Sequence, residues 1–239
     1  MYPSGNELFF HIARHAGLEF VFTSGNALRY PTHLHISVHT ITFVRRGAVR
    51  LYRQEAVNTH RAGSVYVVAP YEPHRPEFSD DVDIVSLCVD KRHFQNMNHF
   101  ELDDLITCHA IRLMNDKLLS EAEIQSFLDG IEGIRRRENS AAPVERTCPD
   151  ALLSSRDIDR SSFGFIRYFK GKTGLTPHQY VIQKRLREAK RMIAGRIPIA
   201  DAAGLAGFYD QSHLNRWFNK TLGITPHRYR NSCFFLDAR

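Results

Sequence analysis

One segment occurs twice in this chain, and the fixed offset between the copies limits its fold more than any other feature. RYFKGKTGLTPHQY at 167–180 and RWFNKTLGITPHRY at 216–229 are 49 residues apart and agree at seven of fourteen positions: Arg167/Arg216, Phe169/Phe218, Gly174/Gly223, Thr176/Thr225, Pro177/Pro226, His178/His227 and Tyr180/Tyr229. A purely structural helical repeat usually needs three or more copies to be stable, so a single duplication points to a doubled working unit. Each copy carries Thr-Pro, an N-cap residue followed by a proline at the first helical position, where the missing N–H costs nothing. From Pro177 the apolar series Ile182, Leu186, Ala189 and Ile193 predicts a helix that stops at Gly195, with Pro198 beyond. At about 1.5 Å per residue such a helix holds two flanking units roughly 25 Å apart.

Ahead of the second copy, IPIADAAGLAGF (197–208) places Ala202 and Ala203 where two helices must cross closely and Gly207 at a turn. DQSHLNRWFNK (210–220) opens with Asp210 as an N-cap and turns Leu214, Trp217 and Phe218 inward. Two short helices about a glycine turn form a helix-turn-helix, whose second helix enters the major groove of DNA. Its outward residues, Gln211, Ser212, His213, Asn215 and Arg216, are nearly all able to hydrogen-bond base edges or phosphates. Charge agrees: residues 141–239 hold 17 Lys/Arg against 8 Asp/Glu, whereas residues 1–140 hold 15 against 18. A basic half of this kind is the electrostatic footprint of a phosphate-binding surface.

The stretches GFYDQSHLNRWFNKTLGITPHRYR (207–230) and SFGFIRYFKGKTGLTPHQYVIQKRLREAKRMI (162–193) resemble the AraC/XylS family of bacterial transcription regulators over roughly the last third of the chain. The resemblance implies base-facing roles for Gln211, Ser212, His213, Asn215 and Arg216 in the second unit, and for Phe163, Ile166 and Arg167 in the first. Lys220 is expected to contact phosphate. The family implies activation more often than repression, and with it RNA polymerase as a partner. The first unit departs from the pattern, because the offset sets Ser154, Ile158 and Asp159 where the second has Ala203, Gly207 and Phe208. Its supporting helix is therefore expected to be short or distorted.

The N-terminal part reads differently. Between residues 31 and 90, β-branched and aromatic runs divided by Gly, Pro and Asp predict strands of a small antiparallel barrel or sandwich. His33, His35, Gly47, Gly63, Pro70 and His74 resemble a cupin barrel, although His39 and Thr40 stand where a metal-binding cupin would carry a Glu. A pocket for a small organic effector, lined by His33, His35, Tyr52, Tyr66 and His74, is the preferred expectation, without a cofactor. A metal held by His33, His35 and His74 is the lesser reading, and a metal-dependent cupin enzyme with a helical appendage is the alternative function. Ser120 and Glu123 form a capping box ahead of an amphipathic helix, expected to connect the domains or to support a homodimer.

The expected architecture is thus α+β. A cupin-like sensor domain occupies 1–138, with a helical segment at about 96–138; a linker follows at 139–150, and an all-α double helix-turn-helix domain at 151–239. No apolar run approaches the roughly 18 residues that span a bilayer, and the four scattered cysteines include no C-x-x-C pair. A cytoplasmic, non-enzymatic DNA-binding protein with no membrane partner is the expectation.

Overall fold

The computed structural model describes residues 9–15, 18–25, 29–54, 56–90, 148–154 and 163–235. The expected helical segment at about 96–138 and most of the 139–150 linker lie outside the described residues. Among the described residues, eight strands come first: β1 (Phe9–His15), β2 (Leu18–Gly25), β3 (Val38–Arg46), β4 (Ala48–Arg53), β5 (Val57–Arg61), β6 (Val65–Val68), β7 (His74–Phe78) and β8 (Val82–Asp90). Six described helices follow: α1 (Pro149–Ser154), α2 (Phe163–Thr173), α3 (Pro177–Ala194), α4 (Ile199–Leu205), α5 (Gln211–Leu222) and α6 (Pro226–Ser232), and a last strand, β9 (Cys233–Phe235), ends the described residues.

The strands form a six-stranded sheet ordered β6-β3-β8-β2-β1-β9 and a three-stranded sheet ordered β5-β4-β7. Val44, Tyr66, Val68, Val82 and Ile84 of the larger sheet meet Val49, Leu51 and Phe78 of the smaller one in a single buried cluster. Alternation supplies these residues: in β4, Val49 and Leu51 are buried while Arg50 is exposed, as expected of a strand with one face on a core. The hairpin β1–β2 lies outside the 31–90 stretch where the sequence shows strands, yet it pairs in continuous antiparallel register from Phe9↔Ser24 to His15↔Leu18. β9 pairs with β1 in parallel, Ile12↔Cys233 to Arg14↔Phe235, so the end of the helical domain is stitched to the N-terminal sheet.

In the helical domain most of the seven identities prove to be scaffold. Gly174 and Gly223 both take left-handed φ values, 72° and 71°, a conformation that costs other residues roughly 1–2 kcal/mol. Thr176 and Thr225 each accept a hydrogen bond from the backbone N–H three residues on, at 3.2 Å in both copies. Phe169, Tyr180, Phe218 and Tyr229 are fully buried, and the rings pair within each unit at 6.0 Å (Phe169–Tyr180) and 5.3 Å (Phe218–Tyr229). The duplicated Arg167 and Arg216, by contrast, are exposed on α2 and α5. At α1 the supporting helix of the first unit is six residues long and buries only Pro149.

The first unit packs directly on the N-terminal domain, through the segments ahead of β3 and β7. Phe165, Phe169, Leu175 and Tyr180 share a cluster with Leu34 and Ile36, and Tyr71, Leu152 and Leu153 lie against it. Tyr71 adopts φ 61°, an uncommon conformation for a bulky residue, and is held there by its N–H bond to the His35 carbonyl at 2.7 Å. A Cβ on Gly174 would lie 2.5 Å from Cβ of Pro73, so the duplicated glycine here serves the domain contact as well as the turn. Gly63, at φ 87°, has nothing within 4 Å of such a Cβ. Gly63→Ala is expected to cost about 1–2 kcal/mol through backbone strain alone. Gly174→Ala should cost visibly more in urea unfolding, the excess reporting the contact with Pro73; equal midpoint shifts would remove that contact from the account.

Candidate effector cavity and nucleic-acid interface

A cavity of about 710 Å³ lies between the sheets and the helical domain, a size suited to a small organic molecule. Its floor is one face of the larger sheet, read off at period two: Val21 and Thr23 from β2, Val38, Thr40 and Thr42 from β3, Ile84 and Ser86 from β8. Thr42 pairs in register with Ser86, and their hydroxyls are 2.9 Å apart. The helical side is formed by Gln183, Leu186, Arg187, Lys190 and Arg191 of α3 and by Thr221 and Leu222 at the end of α5. A ligand there would touch both α3, which joins the two units, and α5 of the second.

Two polar ties set that geometry. The Gln183 carboxamide accepts from the Leu34 N–H at 3.2 Å and donates to the Thr32 carbonyl at 3.4 Å, clasping the segment that carries His33 and His35 to α3. The Tyr30 hydroxyl donates to the Leu222 carbonyl at 3.4 Å, at the C-terminus of α5. Glu188 pairs with Arg187 at 3.3 Å and Arg191 at 3.1 Å. Among the described residues no carboxylate pairs with Lys190, whose ammonium lies 5.6 Å from the Tyr229 ring.

His33, His35 and His74 come together at the cavity wall, with ring centroids 4.2 Å (His33–His74), 5.0 Å (His35–His74) and 5.4 Å (His33–His35) apart. Burial holds all three imidazoles below their ordinary pKa. The neighbouring histidines add to this for His35 and His74, Lys190 adds to it for His33 and His35, and a carbonyl contact partly offsets it for His33 and His74. Tyr66 also lines the cavity, its hydroxyl pushed up to about 12 by burial. Tyr52 does not belong with them. It lies on the opposite face of β4 from Val49 and Leu51, donates to Glu77 Oε2 at 3.1 Å, and has the Arg75 guanidinium 4.0 Å from its ring centroid. No sequence signal marks Tyr30, Gln183, Lys190 or Leu222 as wall residues, because none shares a strand or a motif with the histidines.

On α5, the second helix of the second unit, Gln211, Ser212, Arg216 and Lys220 are exposed and Asn215 is half-buried, while Leu214 and Phe218 are buried. Asp210 caps the helix through its bond from His213 N–H at 2.6 Å. His213 differs from the expectation of a free base reader. Its Nε2 faces Trp217 Nε1 at 2.9 Å and its Nδ1 faces the Tyr209 N–H at 3.4 Å. A neutral ring has a single lone pair, so the shorter contact decides: Nε2 accepts from the Trp217 N–H, Nδ1 carries the proton, and the ring is held within the unit rather than free as an outward edge. In the first unit Phe163 is 85% exposed at the start of α2, Arg167 is exposed, and Ile166 is half-buried.

These features define a helix-turn-helix domain joined to a two-sheet N-terminal domain. Residues 155–232 match the family described as a helix-turn-helix domain. The chain is 45% identical over 67 residues to a probable transcriptional regulator, LumQ, of Photobacterium leiognathi, a match covering 28% of this chain and 27% of that protein. The chain's match thus spans about a quarter of that curated relative. Its whole fold is similar to an apo single-residue variant of ToxT of Vibrio cholerae, with TM-score 0.62 and 14% identity over 93% of this chain and 100% of that one. It is also similar to wild-type ToxT of Vibrio cholerae with an unsaturated fatty acid bound, with TM-score 0.59 and 12% identity over 98% of each chain. No helix among the described residues is long and apolar enough to cross a membrane.

Proposed function

We propose that the chain is a sequence-specific DNA-binding transcription regulator, an activator that contacts RNA polymerase and is governed by a small organic effector in the cavity. The observation that carries this reading is the exposure of Arg167 and Arg216 at equivalent turns of two helices, while the duplicated Phe, Tyr, Gly and Thr residues build the scaffold that presents them. Gln211, Ser212, Asn215 and Arg216 would read bases, with Lys220 on phosphate; Phe163, Ile166 and Arg167 would serve the first unit, in which the apolar Ile166 favours thymine methyl contact. The domain division near 138–151, a homodimer through the 96–138 segment and a cytoplasmic, non-enzymatic role belong to the same proposal. The naming of LumQ as a regulator favours it over a metal-dependent enzyme.

An effector acts only if it binds two arrangements of the protein with different affinity. The cavity is placed for such an effect, because its walls come from the sheets, from α3 and from the end of α5, and a shift between these elements would change the contacts of a bound molecule. A mixed lining, with Leu34, Ile36, Val68, Phe78 and Leu186 for an apolar body and the Lys190 ammonium beside them for a carboxylate, suits an amphipathic acid, and a fatty acid occupies the similar ToxT structure. The test is selection of duplexes from a randomised pool by the full chain. A bipartite site with halves about 34 Å apart, bound with a steep salt dependence, is expected. Failure to enrich any sequence above the starting pool would defeat the proposal.

A further inference from the structure

Strand alternation gives β3 and β8 two unlike faces. One presents Ile41, Phe43, Val85 and Leu87, all buried hydrocarbon. The other, which forms the cavity floor, presents Thr40, Thr42, Ser86 and Cys88, and Thr42 and Thr40 are only 2% and 8% exposed. A floor that served packing alone would repeat the hydrocarbon of the opposite face, because a polar group is costly to bury without a hydrogen-bond partner.

The oxygens are also aligned. Tyr66 lies opposite Thr42 in the β6–β3 register, and Thr42 lies opposite Ser86 in the β3–β8 register, so the three side chains stand in one row across the strands, on one face. Thr42 Oγ1 is 2.9 Å from Ser86 Oγ, and the Thr42 side chain also bonds the Tyr66 hydroxyl. Three O–H groups joined by two hydrogen bonds leave at least one proton unused, whichever way the chain of bonds runs. Among the described residues no further acceptor meets the row, and all three side chains line the cavity. The cationic groups lie elsewhere: Arg187, Lys190 and Arg191 belong to the α3 wall. A plain alkyl acid can place its single carboxylate at only one of these two walls. With the carboxylate at α3, its hydrocarbon displaces water from the row and strands a buried hydroxyl, a loss of about tenfold or more in affinity.

We propose that the effector is an oxygenated acid, with a carboxylate for the Lys190 side and, in its otherwise apolar body, a hydroxyl or keto oxygen that accepts a hydrogen bond from the Tyr66–Thr42–Ser86 row. The inference rests on the reading of the cavity as the site of an amphipathic acid, and narrows it. Selectivity follows from the same row, since a site built to bond an oxygen rejects the analogue that lacks it.

The experiment is calorimetric titration of the full chain with dodecanoate and with dodecanoates hydroxylated singly at carbon three, six, nine or twelve. At least one hydroxylated acid should bind about tenfold or more tightly than dodecanoate. Thr42→Val removes one hydroxyl and keeps the shape; it should erase that preference and tighten dodecanoate itself several-fold. Tyr52→Phe, on the face of β4 away from the cavity, should change neither. If Thr42→Val does not fold, as judged by circular dichroism, Ser86→Ala carries the same test. Equal binding of all five acids, or a preference that survives in the folded variant, overturns the proposal and leaves the broader amphipathic-acid reading in place. Binding of none of the five overturns both.

Discussion

Phe218→Ala is expected to lower the stability of the helical domain by about 3–5 kcal/mol, the cost of removing a phenyl ring from a closed core. Phe218 is fully buried among Leu214, Ile224, Ala202 and Ala203, and its ring meets Tyr229 edge-on at 5.3 Å. Small alanines at the α4–α5 crossing leave little side chain to collapse into the space, which places the loss toward the upper end. Trp217, the chain's single tryptophan, adjoins the substitution and reports it directly through fluorescence during urea unfolding. Phe169→Ala, the equivalent change in the first unit, should cost a similar amount and also loosen the packing of Leu34 and Ile36 against α2. A loss below about 1 kcal/mol at Phe218 would mean that the second unit is not organised around this ring.

Arg216→Ala should remove about 1–3 kcal/mol of discrimination between a selected duplex and a random one. Lys220→Ala should instead weaken both duplexes alike and reduce the salt slope by about one unit. The two residues share an exposed face of α5. Arg216 has the planar fork that matches guanine, whereas Lys220, whose ammonium lies 4.8 Å from the Trp217 ring centroid, is a point charge suited to phosphate. Arg167→Ala should behave like Arg216→Ala if both units read bases. Should Arg216→Ala weaken selected and random duplexes equally, α5 is not in the major groove and the assignment of the reading face is wrong.

Parts of the molecule legible in the sequence were those governed by neighbours within a few residues. Asp210, Thr176 and Thr225 each cap a helix as the residue order implies, because an N-cap needs only an oxygen and an N–H three residues on. Gly195 ends α3 where the apolar series ends. His33, His35 and His74 were singled out by an H-x-H spacing and a following P-x-x-x-H, and the structure brings the three together. Tyr52 could not be placed. Leu51 and Tyr52 are adjacent and both apolar in body, and a period of two does not say which of two neighbours faces the core until the strand's register is fixed. His213 failed for a related reason: its outward position on the helical period says nothing of the Trp217 N–H one turn away that captures its ring.

The duplicated unit, its caps and turns, its basic charge and the alternation of the strands follow from the sequence by itself, since each rests on local geometry and composition. Only the tertiary structure decided that the first unit packs on Leu34 and Ile36, that β9 returns to β1, and that Lys190 and Leu222 close the cavity over the histidines. Those contacts join residues more than a hundred positions apart, and their geometry depends on the packing of whole elements rather than on any spacing along the chain.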